Sequence, residues 1–246
     1  MKIFAIGMNY AAHNKELQRL RVGERSSGIG TLKRPDEPVI FTKADSALLK
    51  PGRPFFVPDH LGRIDYEAEV VVRICRLGKN IPLRFAHRYY DAMTVGIDFT
   101  ARDMQRRASE AGQPWTICKG FDGAAAIGEW VMIRGYGGTG VRGCEDSSRC
   151  EVRGARYEVR GTRCEVRGAS DIHFHLDKNG ETVQEGNTSD MLYSVDEIIA
   201  YISQFFTLKT GDLLYTGTPA GVGPVSIGDH LEGWLEDQKV LDLNCR

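Results

Sequence analysis

Residues 149–169 repeat a seven-residue unit almost perfectly, as RCEVRGA, RYEVRGT and RCEVRGA. A period of seven is typical of coiled coils, which need two apolar seam positions per heptad and residues that favour helices. Each unit here contains a glycine and only one strong aliphatic residue. The repeat therefore argues against a coiled coil. It predicts a segment that buries few side chains in the hydrophobic core of the protein.

The repeat belongs to a longer block, residues 134–170, which differs in composition from the rest of the chain. The block holds eight arginines against five acidic residues, and three of the six cysteines. Surface loops tolerate insertions at low thermodynamic cost. We therefore predict one domain over residues 1–246, in which 134–170 is a heptad-repeat insertion that forms a flexible loop without a catalytic role. A basic docking arm is the alternative, which the glutamate in every heptad weakens.

The composition of the chain is that of an ordinary globular protein. Hydrophobic residues make up 41% and charged residues 26%, with a net charge of −1. No apolar run approaches the roughly 20 residues needed to span a bilayer, so we expect no membrane partner. The charge balance argues against a nucleic-acid partner. Because residues 3–8 are too short an apolar stretch for an export signal, we expect a cytoplasmic protein with free thiols.

Hydrophobic periodicity predicts short strands with a few helices. Strands are expected at 2–8, 65–74 and 126–134, and in a hairpin over 171–187. Helices are expected at 10–20, 83–93, 102–112 and 194–206, the last with Ser194 and Glu197 as a capping box. This pattern is typical of an α+β fold and argues against a doubly wound sheet or an all-β sandwich.

Three acidic residues stand in apolar surroundings. Glu67 and Glu69 are two residues apart on a predicted strand, so their side chains point to the same face, and Asp98 lies in the apolar segment VGIDFTARD. Carboxylates placed together in an apolar environment are costly unless a cation lies between them. Their oxygens suit a hard ion such as Mg²⁺ or Mn²⁺ and leave positions open for water or substrate. The alternative is that Glu67 and Glu69 line a solvated strand face.

Further patterns could carry chemistry. His13 and Glu16 share a helix face, and a carboxylate beside an imidazole raises its basicity, although an exposed pair is the alternative. Lys119 could stabilise a developing oxyanion or could mark a strand end. The segment TGTPAGVG at 216–223 could bind a carboxylate through hydroxyl and N–H groups, or be a plain turn. The G-x-G-x-x-G pattern at 135–140 precedes the repeat rather than a helix, so it does not predict nucleotide binding.

Seven stretches are spread over almost all residues outside the insertion. Each stretch alone is weak evidence of a relationship to a known family, but their joint presence in this order is strong evidence. They are GMNYAAHNKEL, PVIFTKADSAL, DYEAEVVV, GIDFTARDMQ, PWTICKGFD, NGETVQEGNTSDMLYS and LLYTGTPAGVGPVSIGD. Together they resemble the fumarylacetoacetate hydrolase family in its short, single-domain branch. The resemblance implies a mixed β-roll or β-sandwich core with peripheral helices, a homodimer, and an enzyme that uses Mg²⁺ or Mn²⁺ on 2-oxo and dioxo acids.

The resemblance also implies a reaction. Glu67, Glu69 and Asp98 are the implied metal ligands, and His13, held by Glu16, is the implied catalytic base. We expect the base to deprotonate a water that attacks an acylpyruvate-like 2,4-dioxo acid, such as fumarylpyruvate, acetylpyruvate or a fumarylacetoacetate-like acid, so that a C–C bond is hydrolysed. The same site without this attack would be an oxaloacetate decarboxylase, a keto–enol isomerase or a 2-hydroxyhepta-2,4-diene-1,7-dioate-type isomerase, and these are the alternatives.

The same resemblance implies further contacts with the substrate. Lys119 is the implied catalytic charge facing the substrate, Gln105 and Thr218 are implied contacts of its carboxylate, and Lys43 is implied to bind substrate at the pocket border. Met8 departs from the family because arginine is usual there, which weakens an expected carboxylate contact. The insertion is a second departure. A decayed, non-catalytic protein is a competing hypothesis, but all candidate site residues are present.

Overall fold

The computed structural model describes residues 1–15, 34–134, 150–152, 155–157, 165–167 and 169–246. Residues 11–15 are helical, in agreement with the first part of the helix predicted at 10–20. Glu16, the rest of that helix and most of the insertion lie outside the described residues.

Besides the helical residues 11–15, the described residues form strands, four short to medium α-helices and three single-turn 3₁₀ helices. The strands are β1 Ile3–Gly7, β2 Val39–Lys43, β3 Leu48–Leu49, β4 Ile64–Tyr66, β5 Ala68–Ile74, β6 Tyr90–Asp98, β7 Thr100–Ala101, β8 Ala125–Ile127, β9 Val131–Arg134, β10 Cys150–Val152, β11 Ala155–Tyr157, β12 Glu165–Arg167, β13 His173–Lys178, β14 Glu181–Asn187, β15 Leu213–Tyr215, β16 Gly223–Pro224, β17 His230–Leu235 and β18 Gln238–Asn244. The α-helices are α1 Leu83–Ala86, α2 Arg102–Glu110, α3 Thr116–Gly120 and α4 Val195–Phe205, and the 3₁₀ helices are Asp45–Ala47, Asp59–Leu61 and Thr188–Asp190.

A nine-stranded sheet forms the centre of the fold. Its strand order is β12-β9-β6-β5-β15-β1-β2, and β8 joins it by pairing with both β6 and β3. Most neighbours are antiparallel, but β1–β15, β9–β12 and β3–β8 are parallel. A four-stranded antiparallel sheet, β14-β13-β17-β18, and a small sheet, β16-β4-β7, complete the architecture. The predicted mixed α+β fold with peripheral helices is confirmed.

The burial of strand β5 on both faces explains why its sequence, AEVVVRI, is apolar almost throughout. Val71 packs into one buried cluster with Tyr215, whereas Val70 and Val72 pack into a second cluster on the opposite face of the sheet. Because successive side chains point to opposite faces, a strand that is buried on both faces needs a continuous apolar run. This arrangement places the acidic residues at its start deep inside the molecule.

Helix α4 covers the second cluster and begins as predicted. Ser194 accepts a hydrogen bond from the Glu197 N–H, and the Glu197 carboxylate accepts one from the Ser194 N–H, which completes the capping box. Ile198, Ile199 and Ile202 of this helix are buried. Within the described ranges, no helix combines the length and the apolar character that crossing a membrane would need.

Two sequence expectations are corrected by tertiary pairing. The helix predicted at 83–93 ends at Ala86, and Tyr90 begins the long strand β6, because β6 pairs with β5 between Tyr90 and Ile97. The strand predicted at 126–134 is divided at Gly128, where a Cβ would lie 2.3 Å from the Val240 carbonyl oxygen. Local propensity gives way to the neighbouring strands at both places.

The described parts of the insertion form short strands. β10 and β11 pair with each other, and β12 lies parallel to β9 at the edge of the nine-stranded sheet. Apart from Arg134, Ala169 and Ser170, the other residues of 134–170 lie outside the described residues, so the flexible loop stays a prediction.

Candidate metal and catalytic site

Three carboxylates meet where β5 and β6 lie side by side. Glu67 directly precedes β5, Glu69 is the second residue of β5, and Asp98 ends β6. The Asp98 N–H donates to the Glu67 carbonyl oxygen at 2.8 Å, which fixes the register between the two segments. All three side chains are buried, and one oxygen from each lies within 4.8 Å of the others. The predicted grouping is therefore present, and the alternative of a solvated strand face does not hold.

Lys119 lies on helix α3, not at a strand end, and its ammonium group contacts two of these carboxylates. Lys119 Nζ donates to Glu67 Oε2 at 2.7 Å, to Asp98 Oδ2 at 2.8 Å and to Thr100 Oγ1 at 2.6 Å. Burial works to lower the pKa of Lys119, but Asp98 and Glu67 outweigh burial and raise it. The group is therefore a fixed positive charge among the acids.

Glu69 differs from the other two acids in its partners. Its carboxylate accepts a hydrogen bond from the Gly217 N–H at 2.7 Å, and among the described residues no lysine or arginine forms an ion pair with it. Burial, followed by repulsion from Asp98 and Glu67, raises the pKa of Glu69 well above its usual value. A divalent cation would relieve this repulsion, and an all-oxygen set of carboxylates is what hard cations prefer. The residues present therefore fit the implied metal.

Arg102, at the start of helix α2, is a site residue that the sequence reasoning missed. Its guanidinium group donates to Glu67 Oε1 at 2.6 Å, to Asp65 Oδ2 at 2.8 Å and to Gln105 Oε1 at 2.7 Å. Burial opposes the positive charge, but Glu67 and Asp65 raise the pKa of Arg102 further. Burial opposes ionisation of Glu67, but Lys119 and Arg102 outweigh it and lower the pKa of Glu67, whereas the pKa of Glu69 is raised. An arginine inside the motif TARDMQ was the available signal.

These residues line one pocket with His13. Its charged lining consists of the acids, Lys119 and Arg102, and its apolar lining includes Ile6, Phe41 and Trp115. His13, which is 4% exposed, faces this pocket from the helical segment 11–15. Gln105, Thr218 and Met8 also line it. Of the predicted site residues, the structure brings together His13, Lys119, Gln105, Thr218 and the three acids, while Glu16 lies outside the described residues.

Lys43 lies behind Asp98 rather than along the pocket lining. Its Nζ is 2.5 Å from Asp98 Oδ1 and donates to the carbonyl oxygens of Lys119 and Ala124, the second at 2.9 Å. Burial is the main cause that lowers the pKa of Lys43. These contacts tie β2 to the segment that carries Lys119, so they support a role in holding the site rather than direct contact with substrate.

The segment 216–223 approaches the acids through its backbone and through Thr218. Thr218 Oγ1 donates to the Ala68 carbonyl oxygen at 2.8 Å. Gly217 has φ +100, and a Cβ there would lie 2.7 Å from Asn9 Cβ, so only glycine fits without strain. The segment is therefore more than a plain turn, because it binds Glu69 through Gly217 and the strand between the acids through Thr218.

Sequence and structure comparisons show which known enzymes this chain is similar to. The mitochondrial oxaloacetate tautomerase FAHD1 of Arabidopsis thaliana is 33% identical over 94% of this chain and 84% of its own length. The structure of fumarylpyruvate hydrolase from Pseudomonas aeruginosa, in complex with Mn²⁺ and pyruvate, is 27% identical with a TM-score of 0.74, covering 100% of this chain and 89% of that one. The 2-hydroxyhepta-2,4-diene-1,7-dioate isomerase of Mycobacterium marinum is 27% identical with a TM-score of 0.70, covering 99% and 73%.

The family assignment follows from the extent of the match. The sequence model of the fumarylacetoacetate (FAA) hydrolase C-terminal domain matches residues 2–245. The relatives include enzymes named as tautomerases, hydrolases and isomerases, so membership defines an enzyme family and leaves the particular reaction open. With its α+β fold and buried acid cluster, this chain belongs to the fumarylacetoacetate hydrolase family.

Proposed function

We propose that this chain is a divalent-metal-dependent enzyme that interconverts the keto and enol forms of a 2-oxo acid, with oxaloacetate as its substrate. The observation that carries the proposal is that His13 lines the same pocket as the buried acids Glu67, Glu69 and Asp98. Removing a proton beside a carbonyl requires a base and a means of stabilising the resulting negative charge. The activity named for the Arabidopsis thaliana relative supports oxaloacetate as the substrate.

Glu67, Glu69 and Asp98 are the residues that would hold Mg²⁺ or Mn²⁺. When bound, such an ion polarises the 2-oxo group and stabilises enolate charge. Lys119 adds a second positive charge at the same place, and because Asp98 and Glu67 raise its pKa, it stays protonated. Lys119 therefore stabilises charge electrostatically and does not act as the base.

His13 is the group that would move the proton. Among the described residues that line the pocket it is the one imidazole, and it is almost fully buried. With Lys119 held protonated, His13 is suited to accept the C3 proton of the keto form and to return a proton to the substrate. Its predicted partner Glu16 lies outside the described residues, so the dyad stays a prediction.

Two polar groups are suited to orient the substrate carboxylates. Gln105 Oε1 accepts from Arg102 at 2.7 Å, which leaves the amide nitrogen as the group that would donate to a carboxylate. Thr218 borders the same pocket, but its hydroxyl proton is directed to the Ala68 carbonyl oxygen. Gln105 is therefore the stronger candidate of the two predicted carboxylate contacts.

Hydrolysis of a C–C bond in an acylpyruvate is the second candidate function. The apolar residues Ile6, Phe41 and Trp115 in the pocket lining favour it, because they offer an apolar surface to an acyl group. The fumarylpyruvate hydrolase of Pseudomonas aeruginosa, which has a similar structure, also supports it. In this reaction His13 would deprotonate a water, and Lys119 would stabilise the tetrahedral oxyanion.

Parallel assays with oxaloacetate and acetylpyruvate separate these reactions. Enol absorbance and pyruvate formation are followed with Mg²⁺ and again with EDTA. We expect Mg²⁺-dependent relaxation of the oxaloacetate enol without loss of total oxaloacetate. Mg²⁺-dependent loss of acetylpyruvate would instead identify a hydrolase, and formation of pyruvate from oxaloacetate a decarboxylase. Failure of Mg²⁺ to accelerate any of these reactions would contradict the proposal.

The base is tested by His13→Ala, with His60→Ala as the matched control because the His60 side chain is 76% exposed. General acid–base catalysis contributes roughly 10²–10⁴-fold to a rate, so we expect a loss of that order in the His13 variant and none in the control. Wild-type turnover in the His13 variant would exclude it as the base.

A further inference from the structure

Gln184 lies in the middle of β14, on the four-stranded sheet, yet its side chain reaches the segment that carries two of the acids. The side chain is buried, and its amide has three partners. Gln184 Oε1 accepts from the Ala68 N–H at 2.8 Å, and Nε2 donates to Thr218 Oγ1 at 2.9 Å and to the Pro219 carbonyl oxygen at 3.1 Å. Since Ala68 stands between Glu67 and Glu69, the amide holds the backbone from which both carboxylates extend.

The N–H and carbonyl groups of Ala68 have side chains as hydrogen-bond partners because the neighbouring strand, β15, ends before it reaches Ala68. On that edge β5 pairs with β15 from Arg73 to Val71, and Tyr215 is the last residue of β15. Beyond this point the Ala68 carbonyl oxygen accepts from Thr218 Oγ1, and its N–H donates to Gln184. Two side chains thus replace a strand as partners of the buried peptide groups, which would be costly to leave unpaired.

Glycines allow the hairpin to come close enough for this contact. A Cβ at Gly221 would lie 2.5 Å from the Val183 carbonyl oxygen, next to Gln184 in the chain. A Cβ at Gly186 would lie 3.0 Å from Pro219 Cγ. The β14 backbone and the segment 216–223 are therefore in direct contact. This places the Gln184 side chain within hydrogen-bond distance of Ala68, Thr218 and Pro219.

We propose that Gln184 is a positioning residue for the metal site. Its amide joins Ala68, Thr218 and Pro219, and the same turn reaches Glu69 through the Gly217 N–H. The amide thereby sets the separation of Glu67 from Glu69 and orients the Thr218 hydroxyl group. This inference rests on the proposed function, since it assigns Gln184 a task at the proposed metal site.

The test is the Kd for Mn²⁺, measured by calorimetry on the folded chain. Gln184→Met keeps the approximate length and size of the side chain but removes the amide and, with it, all three hydrogen bonds. Residues that orient metal ligands typically change metal affinity by 10–100-fold when they are replaced, so we expect binding at least about 10-fold weaker. If this variant does not fold, Gln184→Asn is measured in its place, because its amide is one methylene too short to keep all three contacts.

Two controls separate positioning from general loss of stability. Glu185→Gln changes the next residue of β14, whose side chain is 69% exposed, and Ile199→Ala opens a cavity in helix α4 away from the site. We expect both to bind Mn²⁺ with the wild-type Kd, although Ile199→Ala lowers the melting temperature. A wild-type Kd in the Gln184 variant, or equal weakening in Ile199→Ala, would overturn the positioning role. A wild-type chain that binds no Mn²⁺ would overturn the proposed function itself, and the positioning role with it.

Discussion

Glu69 is the residue at which the electrostatics of the site are least balanced, and this makes the stability of the metal-free protein depend on pH. Burial, Asp98 and Glu67 raise its pKa in the folded chain above its ordinary value of 4.5. A raised folded pKa means that the folded state binds the proton more tightly than the unfolded state. The corresponding stability is present below pH 4.5 and is lost as the pH rises through the raised value.

Glu69→Gln removes this titration while keeping the shape of the side chain. In EDTA we expect the variant to gain stability relative to wild type as the pH is raised from 5 to 8, by up to about 1.4 kcal/mol for each pH unit below the raised pKa. Urea midpoints at the two pH values measure the difference. The control variant Glu185→Gln should have the urea midpoint of wild type at both pH values. If the midpoint of Glu69→Gln changes with pH as that of wild type does, titration of Glu69 is not the cause of the pH dependence.

Single residues could be predicted from the sequence when a local pattern marked them. Glu67 and Glu69 share a strand face, and Asp98 interrupts an apolar run, so their grouping was predictable. The contacts of Arg102 with Glu67 and of Gln184 with Ala68 were not, because these partners lie far away in the chain, although the motif TARDMQ offered a signal for Arg102 itself. The functional roles of the predicted site residues stay predictions that the variants above test.

Among the elements, the turn after β15 shows how the backbone fixes the site. Gly217→Ala would place a methyl group 2.7 Å from Asn9 Cβ at φ +100. We expect a loss of about 2–5 kcal/mol, the sum of roughly 1–2 kcal/mol for the left-handed backbone and roughly 1–3 kcal/mol for overpacking. Denaturation in urea measures the loss.

Gly211→Ala is the matched control for this prediction. Gly211 also has positive φ, +88, but a Cβ there meets nothing within 4 Å. We expect only the backbone cost, about 1–2 kcal/mol. Equal losses at the two glycines would show that the contact with Asn9 is not what restricts position 217.

Elements were predictable where one local signal dominated. Helix α4 has both a capping box and an amphipathic face, and the hairpin of β13 and β14 has its turn residues. The helix predicted at 83–93 was wrong beyond Ala86 because Tyr90 and the residues after it pair with β5. The local sequence does not reveal this pairing. The division at Gly128 has the same origin, since the approach of β18 is a tertiary contact.

For the whole molecule, the insertion is predicted to be dispensable. Arg167 pairs with Arg134 across parallel strands, so the two Cα atoms lie about 4.8 Å apart and a short connection can replace the residues between them. We expect a variant in which a Gly-Ser dipeptide replaces residues 135–167 to keep its Mn²⁺ affinity. Calorimetry checks this, and weakened binding would show that the insertion supports the site. The homodimer and the cytoplasmic location likewise stay predictions.

We propose that one divalent ion binds at Glu67, Glu69 and Asp98, in the pocket that His13 also lines. A Mn²⁺ titration followed by electron paramagnetic resonance, with wild type beside Asp98→Asn, measures this binding. We predict one tightly bound ion per wild-type chain and loss of that ion in the variant, which keeps the size of the side chain but removes its charge. One tightly bound ion in both proteins would contradict the account, because the metal would then lie elsewhere.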